Sequence, residues 1–359
     1  MNMRTIRILV VEDSVTIRKR LIEVFAAEPG MEVVAEAGDG KACIELCREL
    51  RPDLVTLDMV LPVMSGLAAT EYIMAYCPTP ILIVSSSSNR GEMFKTFEAL
   101  SAGAVDVLDK PRGDEVDGAW ERMLLAKARM VSNIRVITHL RARLARADSD
   151  VCSRTLSVGR HPPGAYRLVA VGASTGGPAA FLAILKSLPP GFPLPIVVVI
   201  HIGLTFGTFL AEWLESQSPY SVSFAKDGEP VSEAAPGRVL MAPPEHHLEV
   251  HAGRWRLSQS PERHSCRPSV DVLFESLART MGQQTIACLL TGMGRDGASG
   301  LLAIRQAAGR TLVQDQATSV VFGMPQEAIR LGAADQVLGL DEFAPALAAL
   351  VQGNGRRPT

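Results

Sequence analysis

Apolar and polar positions alternate in blocks along this chain, and the blocks form two separate runs. From residue 6 to about residue 112, short apolar stretches at Ile6–Val11, Met31–Ala35, Leu54–Leu57, Ile81–Val84 and Val105–Leu108 read as buried strands. Between them, segments with a helical period cover Val15–Ala27, Lys41–Leu50, Gly66–Tyr76 and Met93–Ser101. This strand–helix alternation predicts a parallel sheet with helices on both faces. Residues 119–146 then read as one long helix, with Met123, Met130, Ile134, Ile137 and Leu144 able to form a single apolar seam among arginines. The following stretch, "ADSDVCSRTLSVGRHPPGAY", has polar residues, Gly and Pro without periodicity, and predicts a linker.

A second alternation begins at Leu168. Strands are expected at Leu168–Val171, Ile196–Ile200, Val239–Met241, Thr285–Leu290 and Thr311–Gln314, and helices at Pro178–Leu188, Phe206–Glu215, Val270–Met281 and Gly297–Ala308. Residues 247–258 alternate with period two around Ala252-Gly253 and predict a hairpin. The fold class expected is α/β in two domains. The N-terminal one is a flavodoxin-like doubly wound parallel sheet, and the C-terminal one has a mostly parallel sheet. The domain bounds expected are 1–125, a helical extension and linker at 126–165, and 166–355.

Composition narrows the function classes. The 359 residues carry a formal net charge of -2, which gives no electrostatic reason to expect nucleic acid or an acidic membrane as partner. No apolar run approaches the roughly 20 residues of a membrane helix, so no membrane insertion is expected. The N-terminal "MNMRTIRILVVED" has too short an apolar run for a signal peptide. The six cysteines lack any C-x-x-C pair, and Cys43 and Cys47, on one helical face, read as buried thiols. A reducing cytoplasm is the expected location.

In open α/β sheets, ligands gather at the carboxyl ends of strands. In the first half these ends carry Glu12 and Asp13, Asp58, Ser85 and Lys110. Converging carboxylates repel one another unless a hard divalent cation lies between them, and Mg2+ suits such oxygen ligands. A lysine and a hydroxyl nearby could hold an added phosphoryl group, with Asp58 as the nucleophile that accepts it. On these residues, positions 1 to about 125 resemble response-regulator receiver domains. The resemblance implies Glu12 and Asp13 as the acidic pair, Asp58 as phospho-acceptor, Ser85 as switch hydroxyl, Lys110 as phosphate contact and the Val60 carbonyl as a further metal ligand. Glu12 departs slightly from the pattern, since aspartate is also common there.

In the second half, "VAVGASTGGP" satisfies G-x-S-x-G at Gly172–Gly176. Ser174 there can be a nucleophile, a helix cap or part of an anion cradle. The cradle is the poorest fit, because neither G-x-G-x-x-G nor a P-loop lysine is present. A nucleophilic serine needs a base and an orienting group. His201 follows directly on the apolar strand "PIVVVIH", with His246 and His247 in reserve; His139, His161, His251 and His264 read as solvated. Asp296, in the turn "TGMGRDGASG", is the acid expected after a strand, and either orients the base or caps a helix; Asp271 is the other acid, at a helix start. The order Ser, His, Asp is not that of the α/β hydrolases.

The stretches "GASTGGP", "VVVIH", "RPSVDVLFES", "LLTGMGRDGA" and "QDQATSVVFGMPQEA", with a receiver ahead of them, resemble the chemotaxis protein-glutamate methylesterases, the CheB family. The resemblance implies Ser174, His201 and Asp296 as catalytic residues. It adds the Met293 amide at an oxyanion hole, with Thr175 assisting. It also implies hydrolysis of glutamyl methyl esters and deamidation of glutamines on chemoreceptors. Activation would come from phosphotransfer by a chemotaxis histidine kinase, with Mg2+ at the receiver and no cofactor for the ester chemistry. The loop after the base reads His201-Ile202-Gly203, where the family often has Met and Pro, and this bears on substrate preference. Two other classes compete. A transcriptional regulator would need a basic helix-turn-helix in the second half, and a catalytically silent receiver-regulated scaffold would bind receptors or kinase without turnover.

Overall fold

The computed structural model describes residues 4–86, 89–111, 118–134, 136, 166–231 and 236–352. The chain divides into two compact units, Met1–Cys152 and Ser153–Thr359.

In the first unit, strands β1 (Ile6–Val11), β2 (Met31–Ala37), β3 (Leu54–Leu57), β4 (Ile81–Ser85) and β5 (Asp106–Asp109) form one sheet in the order β2-β1-β3-β4-β5. Every pairing is parallel. The short central strands read as continuous apolar runs because both faces are covered by helices. Those helices are Val15–Ala27, Gly40–Leu50, Gly66–Tyr76, Arg90–Ala102 and Ala119–Val131. Ser14, Asp39, Ser65 and Asn89 cap the first four, each side chain accepting from an amide of the first turn. The order places the C-terminal ends of β1, β3, β4 and β5 side by side.

The long helix expected over 119–146 ends at Val131 and turns through Ser132 and Asn133. Its buried face also differs from the expected seam. Trp120, Leu124, Ala128 and Val131 go inward, and Met123 is 52 % exposed. Trp120 sets this rotation, because its indole N–H donates to the Asp109 carbonyl at 2.7 Å. Met130 and Ile134 lie against the edge of the core, whereas Ile137 and Leu144 fall outside the described residues.

In the second unit, β6 (Leu168–Ala173), β7 (Ile196–Ile200), β8 (Ser221–Phe224), β9 (Arg238–Met241), β12 (Thr285–Leu289), β13 (Arg310–Gln314) and β14 (Gln336–Leu338) form a seven-stranded sheet in the order β14-β13-β12-β6-β7-β9-β8. All its pairings are parallel. The hairpin expected at 247–258 is present as β10 (His247–His251) and β11 (Arg254–Ser258) in a separate antiparallel ribbon. β8, β14 and the helices Met324–Arg330 and Phe343–Gln352 were not expected. β6 is the switch point of this sheet: the chain passes from it to β7 on one side and returns to β12 on the other. Val270, Leu273, Phe274 and Leu277 of helix Val270–Met281 pack into the core, and this helix runs over the ends of β6 and β12.

Leu124→Ala removes a fully buried side chain and is expected to cost about 2–5 kcal/mol of stability, while Met123→Ala leaves stability within about 0.5 kcal/mol. Urea unfolding of the two variants checks this, and equal losses would restore the Met123 seam.

Candidate active site and phosphorylation site

In the first unit the strand ends bring four of the expected side chains into contact. Lys110 Nζ lies 2.7 Å from Asp58 Oδ2 and 2.9 Å from Glu12 Oε1, and Ser85 Oγ donates to Asp58 Oδ1 at 2.9 Å. Glu12, Asp58 and Ser85 are buried, whereas Asp13 is exposed at the rim. Burial raises the Glu12 carboxyl to about 7; the Lys110 hydrogen bond opposes this and the charge of Asp58 adds to it. Burial pulls the Lys110 ammonium down, but its bonds to Asp58 and Glu12 win and hold it above its ordinary value. One oxygen each of Glu12, Asp13 and Asp58 lie within 4.8 Å of one another. The donor set is all oxygen, Glu12 Oε2 is paired only with the Lys110 ammonium, at 2.8 Å, and the Val60 carbonyl accepts no hydrogen bond among the described residues. These residues fit a hard divalent cation.

In the second unit the ladder of β6 and β7 pairs Ala173 with Ile200, and the His201 amide extends it by donating to the Ala173 carbonyl. Ser174 and His201 therefore leave adjacent strands at the same level, about 5 Å apart along the sheet. Gly176 begins the next helix with φ 76°, and a Cβ there would meet the Val320 side chain at 2.7 Å. Gly292 backs directly onto Ser174: a Cβ would lie 2.7 Å from the serine Cβ. Thr291 ties the turn down, its carbonyl accepting from the Ser174 amide and its hydroxyl donating to the Thr175 carbonyl, both at 3.0 Å.

His201 Nε2 lies 2.9 Å from Asp296 Oδ2. The second nitrogen, Nδ1, faces Cys266 Sγ at 3.6 Å. No hydrogen bond joins Ser174 Oγ to either nitrogen among the described residues. In the serine proteases Nε2 serves the serine and Nδ1 the acid; here the acid holds Nε2. Asp296 is itself fixed by three further donors: Ser269 Oγ at 2.7 Å, the Val270 amide at 2.7 Å and the Asp271 amide at 3.0 Å. It thus caps, from a distant loop, the start of helix Val270–Met281, where amides and helix dipole favour an anion. Burial would raise this carboxyl, but the bonds to His201, Ser269 and Asp271 hold it below its ordinary value. Burial would lower His201, yet the contacts with Asp296 and Cys266 raise it to about 9.

Met293 is 57 % exposed, and its amide donates to no protein acceptor among the described residues. Gly292, beside it, is pinned by accepting from the Gly323 and Met324 amides. A cleft of about 660 Å³ starts next to it at Gly294 and Arg295 and runs along Gln326 and Arg330. Thr175 is buried under the turn. Asp271 does not reach His201; it accepts from the Gly300 amide at 2.6 Å and from His264 at 3.1 Å. His247 is buried, bound to the Ser269 amide and the Pro261 carbonyl, and His246 turns to the Pro244 carbonyl. His251 and His264 are exposed, although His264 is paired; His139 and His161 lie outside the described residues. Ser269 and Cys266 escaped sequence reasoning. Ser269 had a visible signal as a cap before an apolar helix, but its bond to Asp296 spans 27 residues.

A parallel sheet whose edge gathers carboxylates with a lysine and a hydroxyl, joined in one chain to a second parallel sheet whose edge gathers serine, histidine and aspartate, defines a hydrolase linked to a receiver domain. Family models agree: "Response regulator receiver domain" matches residues 8–116 and "CheB methylesterase" matches residues 169–347. The chain belongs to the CheB methylesterase family. It is 44% identical to protein-glutamate methylesterase/protein-glutamine glutaminase 2 of Anaeromyxobacter dehalogenans over 97% of this chain and 98% of that one. It is 41% identical to the protein of the same kind from Nitrosospira multiformis, over 98% of each. The crystal structure of the Thermotoga maritima CheB methylesterase catalytic domain is 39% identical, with a TM-score of 0.49, covering 52% of this chain and 99% of that one.

Only the deprotonated imidazole can act as base, so kcat/KM for ester hydrolysis is expected to rise about tenfold per pH unit up to an apparent pKa near 9. Asp296→Asn removes the anion that favours the imidazolium, so the limb moves down toward 6.5 even as the rate itself falls. A profile flat from pH 7 to 9 in the unmodified protein would contradict this environment for His201.

Proposed function

We propose that this chain hydrolyses methyl esters of glutamate side chains on chemoreceptors, deamidates receptor glutamines with the same residues, and is activated by phosphorylation of Asp58. The observation that carries this reading is that Ser174 and His201 follow the adjacent strands β6 and β7 at one level, and that Asp296, in the loop after the neighbouring β12, holds His201 at 2.9 Å. The whole-chain similarity to protein-glutamate methylesterases supports the substrate class.

In the reaction His201 Nδ1, the nitrogen not held by Asp296, takes the Ser174 proton, and Oγ attacks the γ-carbonyl carbon of the ester. Asp296 keeps the other proton on Nε2 and steadies the imidazolium. The free Met293 amide, with Thr175, stabilises the oxyanion; one such donor is typically worth about 10²–10³ in rate. Collapse breaks the carbon–methoxy bond, His201 returns the proton to the leaving methanol, and water cleaves the acyl-serine by the same route. A glutamine side chain follows the same steps with ammonia leaving.

At the receiver, Glu12, Asp13, Asp58 and the Val60 carbonyl would hold Mg2+, which supplies charge neutralisation for phosphoryl transfer. Asp58 accepts the phosphoryl group, and Lys110 and Ser85, already on its two oxygens, exchange the carboxylate for phosphate oxygens. A histidine kinase is the donor, residues 126–165 link the domains at 1–125 and 166–355, and the protein acts in the cytoplasm. No helix among the described residues is long and apolar enough to cross a membrane.

Methanol release from methylated receptor membranes tests the reading. Turnover is expected to rise on adding a phosphodonor with Mg2+, Asp58→Asn to keep basal turnover without that rise, and Ser174→Ala to lose about 10⁴–10⁶-fold. Turnover retained by Ser174→Ala would remove the proposed nucleophile.

A further inference from the structure

Cys266 is the one cysteine among the described residues that is not buried, and it stands beside the base. Its position is built rather than incidental. Arg263 and Cys266 exchange backbone hydrogen bonds at 3.2 and 3.0 Å, closing a turn whose central residues, His264 and Ser265, have φ 54° and 59°. Such a turn holds its flanks in a fixed pairing. Arg263 is clamped by two 2.7 Å bonds to Glu275, and His264 is bound to buried Asp271. The sulfur is thereby held 3.6 Å from His201 Nδ1 and 3.4 Å from the His264 carbonyl.

The ring it faces has a defined chemistry. A carboxylate oxygen only accepts, so Nε2 carries the proton shared with Asp296, and the neutral ring keeps its lone pair on Nδ1, toward Cys266. A histidine that donates one nitrogen's proton to a carboxylate while its other nitrogen is open is the arrangement found around bound zinc. The spacing agrees as well. With zinc–sulfur and zinc–nitrogen bonds of about 2.3 and 2.0–2.1 Å at a tetrahedral angle, sulfur and nitrogen sit about 3.6 Å apart. Sγ and Nδ1 are 3.6 Å apart here. Asp296 offers an oxygen within 4.8 Å of both, although its own four bonds keep it as the outer partner.

We propose that Cys266 Sγ and His201 Nδ1 form a binding site for a borderline-soft divalent cation such as Zn2+, and that the ion inhibits hydrolysis by occupying the nitrogen that must accept the Ser174 proton. Binding releases the thiol proton to solvent and leaves a thiolate on the metal. Water fills the remaining positions. Mg2+, which prefers oxygen, does not compete for this pair. The inhibition rests on the hydrolase reading given above; the binding does not.

The test uses the full chain, stripped of metal and kept reduced, with Co2+ as an optical probe. Co2+ is expected to give a thiolate-to-cobalt charge-transfer absorption that Zn2+ displaces and Mg2+ does not. Cys266→Ser and His201→Gln should each abolish that absorption, and Asp296→Asn should weaken zinc affinity about 10–100-fold. In methanol-release assays, the ratio of rates with and without Zn2+ should fall at least tenfold in the unmodified chain and stay near one in Cys266→Ser. The absorption and its loss in both variants without any hydrolysis to inhibit would keep the metal site and sink the hydrolase reading. Hydrolysis without the absorption, or an absorption unchanged in Cys266→Ser, would overturn the metal site.

Discussion

The second unit is organised around one buried anion. Asp296 is almost fully removed from water, and an ionised carboxylate in that position costs several kcal/mol unless its oxygens are paired. Four donors meet that demand: Ser269 Oγ, the Val270 and Asp271 amides, and His201 Nε2. The first three belong to the start of a helix that crosses the sheet ends, so packing of that helix and charge of the carboxylate are one structural fact. The fourth donor is the consequence. Because the acid takes Nε2, the ring's orientation is set, the proton is assigned, and Nδ1 becomes the only nitrogen through which the histidine can act as base or ligand.

The first unit solves the same electrostatic problem with a different counter-ion. Glu12 and Asp58 sit buried together, and Lys110 lies between them at hydrogen-bonding distance from both. Ser85 takes the remaining oxygen of Asp58. One ammonium, held by both carboxylates, thus balances two buried charges. In both units the candidate residues lie at the carboxyl edge of a parallel sheet, where helix starts, strand ends and loop carboxylates converge.

Much of this was legible in the sequence, for a definable reason. Ser174, His201, Asp58 and Lys110 stand at or next to the ends of apolar runs, and a run's end is visible without knowing which strands are neighbours. Asp296 lies in the loop after β12 and contacts His201, whereas Asp271 sits within the helix start and turns to Gly300 and His264. What stayed hidden is tertiary. Ser269 reads as a local cap, and only the fold brings it to Asp296. Cys266 is one thiol in a loop until the Arg263–Cys266 turn aims it at His201. The helix that starts at Ala119 ends at Val131 although the apolar period of the sequence continues beyond it. Its face was misread because Trp120, which anchors it to Asp109, lies outside that seam. The short edge strands β8 and β14 carry too few residues for a period of two to register.

The central claim is that, in the neutral His201 ring, Asp296 holds the proton on Nε2 and Nδ1 carries none. Nitrogen-15 NMR of the His201 ring, recorded above its titration near pH 9, reads the tautomer directly. The account predicts a protonated, hydrogen-bonded Nε2 and an unprotonated Nδ1, with the Nε2 proton signal lost in Asp296→Asn. A neutral ring that carries its proton on Nδ1 would contradict it, and with it the route assigned to the Ser174 proton.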